Sequence, residues 1–75
     1  MSDYQSIPCA DYDRLELAIL HRERLRLRWR EGGVEHLEWG QPLDLVTEKG
    51  AEFLVFRSLR GTTLRVRLDR LRVLL

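Results

Sequence analysis

The chain has a single cysteine, Cys9, so no intrachain disulfide can form, and a reducing compartment fits better than secretion. There are only two histidines, His21 and His36, and no His/Cys set has the spacing of a metal site. His21-Arg22-Glu23 matches the H-x-E of zinc deaminases, but the P-C-x-x-C that must follow is missing. The glycines build no phosphate-binding loop, because Gly32-Gly33 and Gly61 fall where hairpins are expected. The longest apolar runs, 17–20 and 53–56, are far too short to span a bilayer. No basic segment followed by an apolar stretch opens the chain, so no signal peptide is expected. These absences point away from an enzyme, a cofactor, a metal and a membrane, and towards a cytoplasmic protein.

Neither charge sign dominates: 13 Lys and Arg face 12 Asp and Glu, a formal net charge of +1. The distribution is uneven. Residues 1–21 hold Asp3, Asp11, Asp13 and Glu16 against Arg14 alone, while the rest of the chain is basic. Such asymmetry suggests charged partners, although it also suits a solvated surface. A chain of 75 residues is expected to form one domain, residues 1–75. Its core must be small, since such a domain buries only roughly 60% of its unfolded surface.

Residues 1–8 lack periodicity and read as an extended arm, pinned by Tyr4 and Ile7. Asp13-Arg14-Leu15-Glu16 has capping-box spacing, which predicts a helix starting at Asp13 and ending near His21. Its wheel puts Tyr12, Leu15 and Ile19 on one side and Leu17 and Leu20 on another, as if it were clamped between a sheet and the arm. At residue 22 the period switches to two. Leu25, Leu27 and Trp29 alternate with Arg24, Arg26, Arg28 and Arg30, a half-buried strand. A three-residue loop at Glu31-Gly32-Gly33 would set Leu27 opposite Leu37, Leu25 opposite Trp39 and Arg26 opposite Glu38. That register pairs apolar with apolar and plus with minus, so it is preferred over a two-residue loop. It also places both tryptophans in the core. Gly40-Gln41-Pro42 breaks or bends the next strand, which resumes at Leu43, Leu45 and Val46 after a bulge.

Glu48-Lys49-Gly50 is the following turn. Residues 52–57 are apolar on both faces, a strand covered from both sides. Ser58-Leu59-Arg60-Gly61 turns the chain. Leu64, Val66 and Leu68 then alternate with Arg65 and Arg67, and Leu71, Val73 and Leu75 follow an Asp69-Arg70 corner. The expected fold is mainly β with one N-terminal helix: a small, bent, five-stranded antiparallel barrel.

Three constellations could carry function. Cys9 with a histidine would make a thiol nucleophile, but a lone free cysteine usually fills a core position. The arginine teeth Arg24, Arg26, Arg28 and Arg30, with Arg65 and Arg67 on a partner strand, could follow a phosphate backbone and bind RNA directly. Paired with Glu35 and Glu38 they would be a solvated face instead. The acidic helix start, Asp11, Asp13 and Glu16 with Tyr12 beside them, suits helix capping, and could also occupy a basic groove on a protein partner.

Tyr4-Gln5-x-Ile7-x-Cys9-x-Asp11-Tyr12-Asp13-x-Leu15-Glu16-Leu17-Ala18 resembles the opening of the Rho-binding antiterminator family, also called Rof. The similarity continues through Asp44-Leu45-Val46-x-x-Lys49, Glu52-Phe53-Leu54-Val55 and Leu68-Asp69-Arg70. The resemblance implies an Sm-like fold. It further implies an inhibitor of the transcription termination factor Rho, which binds the N-terminal RNA-binding domain and blocks RNA loading at the primary site. Carried onto this chain, Asp11, Tyr12, Asp13 and Glu16 are the contact candidates, with Glu48 and Lys49 at the hairpin as weaker ones. The free protein is expected to be a monomer. The arginine strand departs from the acidic pattern of the family and leaves open a second partner, RNA or an acidic protein surface.

Overall fold

Pro8 sets where the helix begins. Its ring fixes an extended entry (φ −55°, ψ 141°), and its carbonyl accepts from the N–H groups of Asp11 (3.0 Å) and Tyr12 (3.2 Å). In the computed structural model, which describes residues 5–74, helix α1 therefore spans Cys9–His21. The start at Asp13 is corrected: a capping-box pattern does not make a cap when a proline carbonyl has already opened the first turn. Asp13 lies in the second turn, and no side chain caps the helix. The end at His21 agrees. Arg22 follows in the left-handed region (φ 57°), and the Glu23 N–H donates to the Ala18 carbonyl at 2.9 Å.

Five strands follow: β1 (Leu25–Glu31), β2 (Val34–Glu48), β3 (Ala51–Ser58), β4 (Thr63–Arg67) and β5 (Leu71–Leu74), the last two joined by a 3₁₀ turn at Leu68–Arg70. They form one antiparallel sheet in the order β4-β3-β2-β1-β5. Its concave side holds the core of Leu27, Trp29, Leu54, Phe56, Leu68 and Leu71, with Leu15 brought in by the helix. The barrel-like curl is present, but among the described residues β4 and β5 remain the two edges.

The β1–β2 register differs from expectation. Glu31 pairs with Val34, so the loop is Gly32-Gly33 alone, both with positive φ (58° and 78°). That is the type I′ pattern, whose twist matches the flanking strands. Leu27 then faces Glu38, Trp29 faces His36 and Leu25 faces Gly40. Opposite residues share a face, so two large apolar side chains on each rung would crowd a small interior. A large residue against a glycine or a rim polar group fits. The shift of one residue moves Trp39 and Leu37 to the convex side, where they are 50% and 49% exposed. Trp39 is therefore not a core residue, whereas Trp29 is.

Strand β2 is not broken. It runs through Gly40 and the fully buried Pro42, with a bulge between Pro42 and Asp44. The bulge was foreseen, and it resets parity. Gly40 and Pro42 face inward before it, and Leu45, opposite the buried Leu54, after it. Proline is tolerated here because a bulge interrupts the ladder it cannot donate to. In β3, Leu54 and Phe56 are fully buried, while Phe53 and Val55 are only half-buried, so cover on the second face is partial. The Arg65 guanidinium supplies part of it, 4.3 Å from the Phe53 ring centre. The helix is not clamped on two sides either: Leu15 and Ala18 are buried, but Leu17 and Leu20 are exposed. Ile7 packs on the core as expected of the arm; the roles given to Tyr4 and Leu75 lie outside the described residues.

Gly40 is where β2 passes closest to the core. A Cβ there would stand 2.7 Å from Phe56 Cδ2 and 3.2 Å from Leu27 Cδ1. Gly40→Ala is expected to destabilise the fold by about 1–3 kcal/mol through overpacking. Thermal unfolding should show a melting temperature lower by several degrees; an unchanged value would mean that the Gly40–Phe56 contact is slack.

Candidate functional site

Starting the helix at Cys9 puts the acidic residues on its first two turns. Asp11 lies in the first turn, half-buried, where the positive end of the helix dipole favours it. Asp13 and Glu16 are exposed and, with no capping duty, free to meet a partner. Tyr12 is half-buried and packs on the core. Leu15, fully buried, anchors this face of the helix against the sheet.

Tyr12 joins the helix to β3. Burial, the charge of Glu52, a hydrogen bond to Glu52 and the charge of Glu16 together raise the Tyr12 hydroxyl above its ordinary value of 10.0. Glu52 was not foreseen as a site residue. The signal was present: it shares the parity of the buried Leu54 and Phe56, so an acid on the inward side of a strand start needed a partner. Tyr12, Asp13 and Glu52 line an open hollow of about 270 Å³ together with Ser6, Ile7 and Cys9. The structure thus brings Tyr12, Asp13 and Glu16 together with Glu52 into one acidic rim around a tyrosine.

Glu48 and Lys49 lie on the adjoining β2–β3 hairpin. Glu48 is ion-paired with Arg65 across the sheet, which turns it away from the acidic rim. Lys49 is exposed and adopts φ 51° beside Gly50 at 78°, a second two-residue turn with positive φ throughout. A lysine there is strained, since asparagine or glycine is the usual occupant.

Cys9 is exposed rather than a core filler. His21 lies twelve residues further along the same helix, about 18 Å at 1.5 Å per residue, so the two cannot pair. His36 instead stacks on Trp29, with ring centres 5.1 Å apart. Among the described residues no group of three or more His, Cys, Asp or Glu side chains could hold a metal ion, and no helix is long and apolar enough to cross a membrane.

The arginines sit on two strands that the curl of the sheet brings together: Arg30 of β1 and Arg65 and Arg67 of β4 line one hollow of about 130 Å³ with Arg70. Arg26, Arg28 and Arg30 project from the convex face of β1; Arg24 is exposed just before the strand begins. Arg65 and Arg67 are not on a strand paired with β1, because β4 is the opposite edge of the sheet. They are also engaged. Arg65 pairs with Glu48, and Arg67 forms a fork on Asp69, Nε to Oδ1 at 3.1 Å and Nη2 to Oδ2 at 2.6 Å, with side chains only 18% and 13% exposed. Such two-pronged, charge-assisted pairs hold a side chain in place, so Arg67 braces the 3₁₀ corner. Glu38 does not pair with the teeth as expected, being on the inward parity opposite Leu27; Glu35 does, 3.5 Å from Arg28.

The sequence matches the family model described as "Modulator of Rho-dependent transcription termination (ROF)" over residues 6–75. It is 43% identical over 68 residues to a protein named "Protein rof" from Escherichia coli (strain K12), and equally to one of the same name from Shigella flexneri. Each match covers 91% of this chain and 76% of the relative. No solved structure matches with significance.

The Tyr12 hydroxyl makes the joint between helix and β3 testable by pH. In the unfolded chain it loses its proton near 10.0, whereas in the folded chain it keeps it to higher pH. The unfolded state then binds fewer protons, so this contribution is present in full below the ordinary value and is lost as pH rises through the folded one. Melting temperatures are expected to fall more steeply above that pH for the wild type than for Tyr12→Phe. Parallel curves would show that the hydroxyl is not held by Glu52.

Proposed function

The chain belongs to the family of modulators of Rho-dependent transcription termination, and from that premise we propose that it inhibits Rho by occupying the RNA-binding surface of Rho's N-terminal domain. RNA then cannot load at the primary site, and termination fails. The observation that carries this reading is the acidic rim. Asp13 and Glu16 are exposed on α1 beside Tyr12, with Glu52 contributed by β3. A surface that binds RNA must be basic, and a preformed cluster of carboxylates around an aromatic ring offers it the same two features as a nucleotide: negative charge and a flat apolar face.

The residues divide the work by their exposure. Asp13 and Glu16 steer the approach and set its salt dependence, since exposed rim charges act mainly on the association rate. Tyr12 supplies the apolar contact at the edge of the hollow. Asp11 supports the helix start from its half-buried position. Lys49 closes the hairpin next to β3, and its strained backbone fits a position kept for contact. Nothing in this mechanism needs bond-making chemistry; the protein acts by competition.

Charge reversal is the test. Asp13→Arg and Glu16→Arg should each raise the concentration needed to release labelled RNA from Rho by roughly tenfold or more, with the loss greatest at low salt. Neither residue caps the helix, so circular dichroism and melting should stay close to wild type. Normal competition by both folded variants would overturn the acidic-rim assignment.

A further inference from the structure

The corrected β1–β2 register builds a surface that alternation alone did not reveal. On the convex face Arg26 stands opposite Trp39, and Arg28 stands opposite Leu37 on one side and Arg72 of β5 on the other. Trp39 is half-exposed, an unusual place for the largest apolar side chain in a small domain. Arg28, Arg30, Arg70 and Arg72 line an open groove of about 250 Å³, where the acids are Glu35 and Asp69. Asp69 is already forked to Arg67, and Glu35 answers only Arg28. Among the described residues no carboxylate is paired with Arg26, Arg30 or Arg72.

We propose that this face, Trp39 with Arg26, Arg28, Arg30 and Arg72, is a binding site for single-stranded nucleic acid, separate from the acidic rim. The arginines on one side of β1 recur about every 6.7 Å, twice the rise of a strand. A regular row of guanidinium groups, of which among the described residues only Arg28 is ion-paired and that to an exposed Glu35, suits a polymer that repeats its charge. Trp39 provides one platform on which a base can stack, and stacking plus a charged track is how single strands are held without sequence preference. An acidic protein surface would have to bring carboxylates in that same row and would have no use for a flat indole beside its Arg26 end. The groove and the acidic hollow share no lining residue. One molecule could therefore occupy Rho with one surface and hold the displaced strand with the other.

The test needs no Rho, so it stands or falls apart from the inhibitor reading. The full chain is titrated with oligocytidylate of about ten nucleotides while tryptophan emission is followed. Trp29 is 2% exposed but also lines the groove, so Trp39→Ala is titrated in parallel and only the quenching it loses is assigned to Trp39. Four neutralised phosphates predict a log–log salt slope of about −2.8, or roughly fiftyfold weaker binding between about 50 mM and about 200 mM salt. Trp39→Ala should weaken binding, read by anisotropy of labelled RNA, roughly five- to a hundredfold. The double variant Arg26→Gln, Arg72→Gln should flatten the slope by about 1.4. All these positions are exposed, and melting curves confirm that the variants fold. A deoxy strand of the same length is expected to bind comparably, and a duplex much more weakly. The proposal is overturned if the wild type neither quenches nor binds at the lower salt. It is equally overturned if the variants bind like wild type, or if polyglutamate or a duplex binds as tightly as the single strand.

Discussion

The fold depends on how β2 crosses the core. This strand is fifteen residues long and pairs with both β1 and β3, so every other element takes its position from it. It can stay continuous only because it bends where side chains would collide. At Gly40 the Phe56 ring fills the space a Cβ would need, and at Pro42 the missing N–H coincides with the bulge. The bulge resets inside and outside, so one strand faces the core along both halves of its length. The Gly40–Phe56 contact and the bulge together make a five-stranded sheet curl tightly enough for a chain of this size to enclose a core.

Both charged surfaces follow from that curl. Beyond the bulge, β2 turns through Lys49-Gly50 into β3, which sets Glu52 beneath the helix and against Tyr12. Before the bulge, β2 pairs with β1 through a tight glycine turn, which sets Trp39 among the arginines of the convex face. The chain is nearly neutral because these two surfaces offset each other, not because it lacks charged faces.

Much of this was legible in the sequence. Alternation marked β1 and β4, glycine and proline marked the turns and the bulge, and the helix end at His21 was found. The family was legible from the order Cys9-x-Asp11-Tyr12-Asp13-x-Leu15-Glu16. The misreadings share one cause: each local pattern had two solutions, and tertiary geometry decided. Asp13 to Glu16 looked like a cap, but Pro8 opened the helix four residues earlier. Pairing apolar with apolar favoured a three-residue loop, but a narrow interior prefers Leu25 against Gly40. That single step moved Trp39 from core to surface. Arg65 and Arg67 were expected near the arginine strand on a strand paired with it; the strand order denies the pairing, but the curl still brings them to Arg30, with Glu48 and Asp69 holding them.

If the chain inhibits Rho as proposed, Rho meets the acidic rim and not the arginine face. Hydrogen–deuterium exchange of the chain, free and bound to intact Rho, tests it most directly. Binding at the rim predicts added protection in the first two turns of α1 and at the start of β3 around Glu52, with β1 and β5 unchanged. Protection of β1 and β5, with α1 exchanging as in the free protein, would instead make the arginine face the Rho-binding surface.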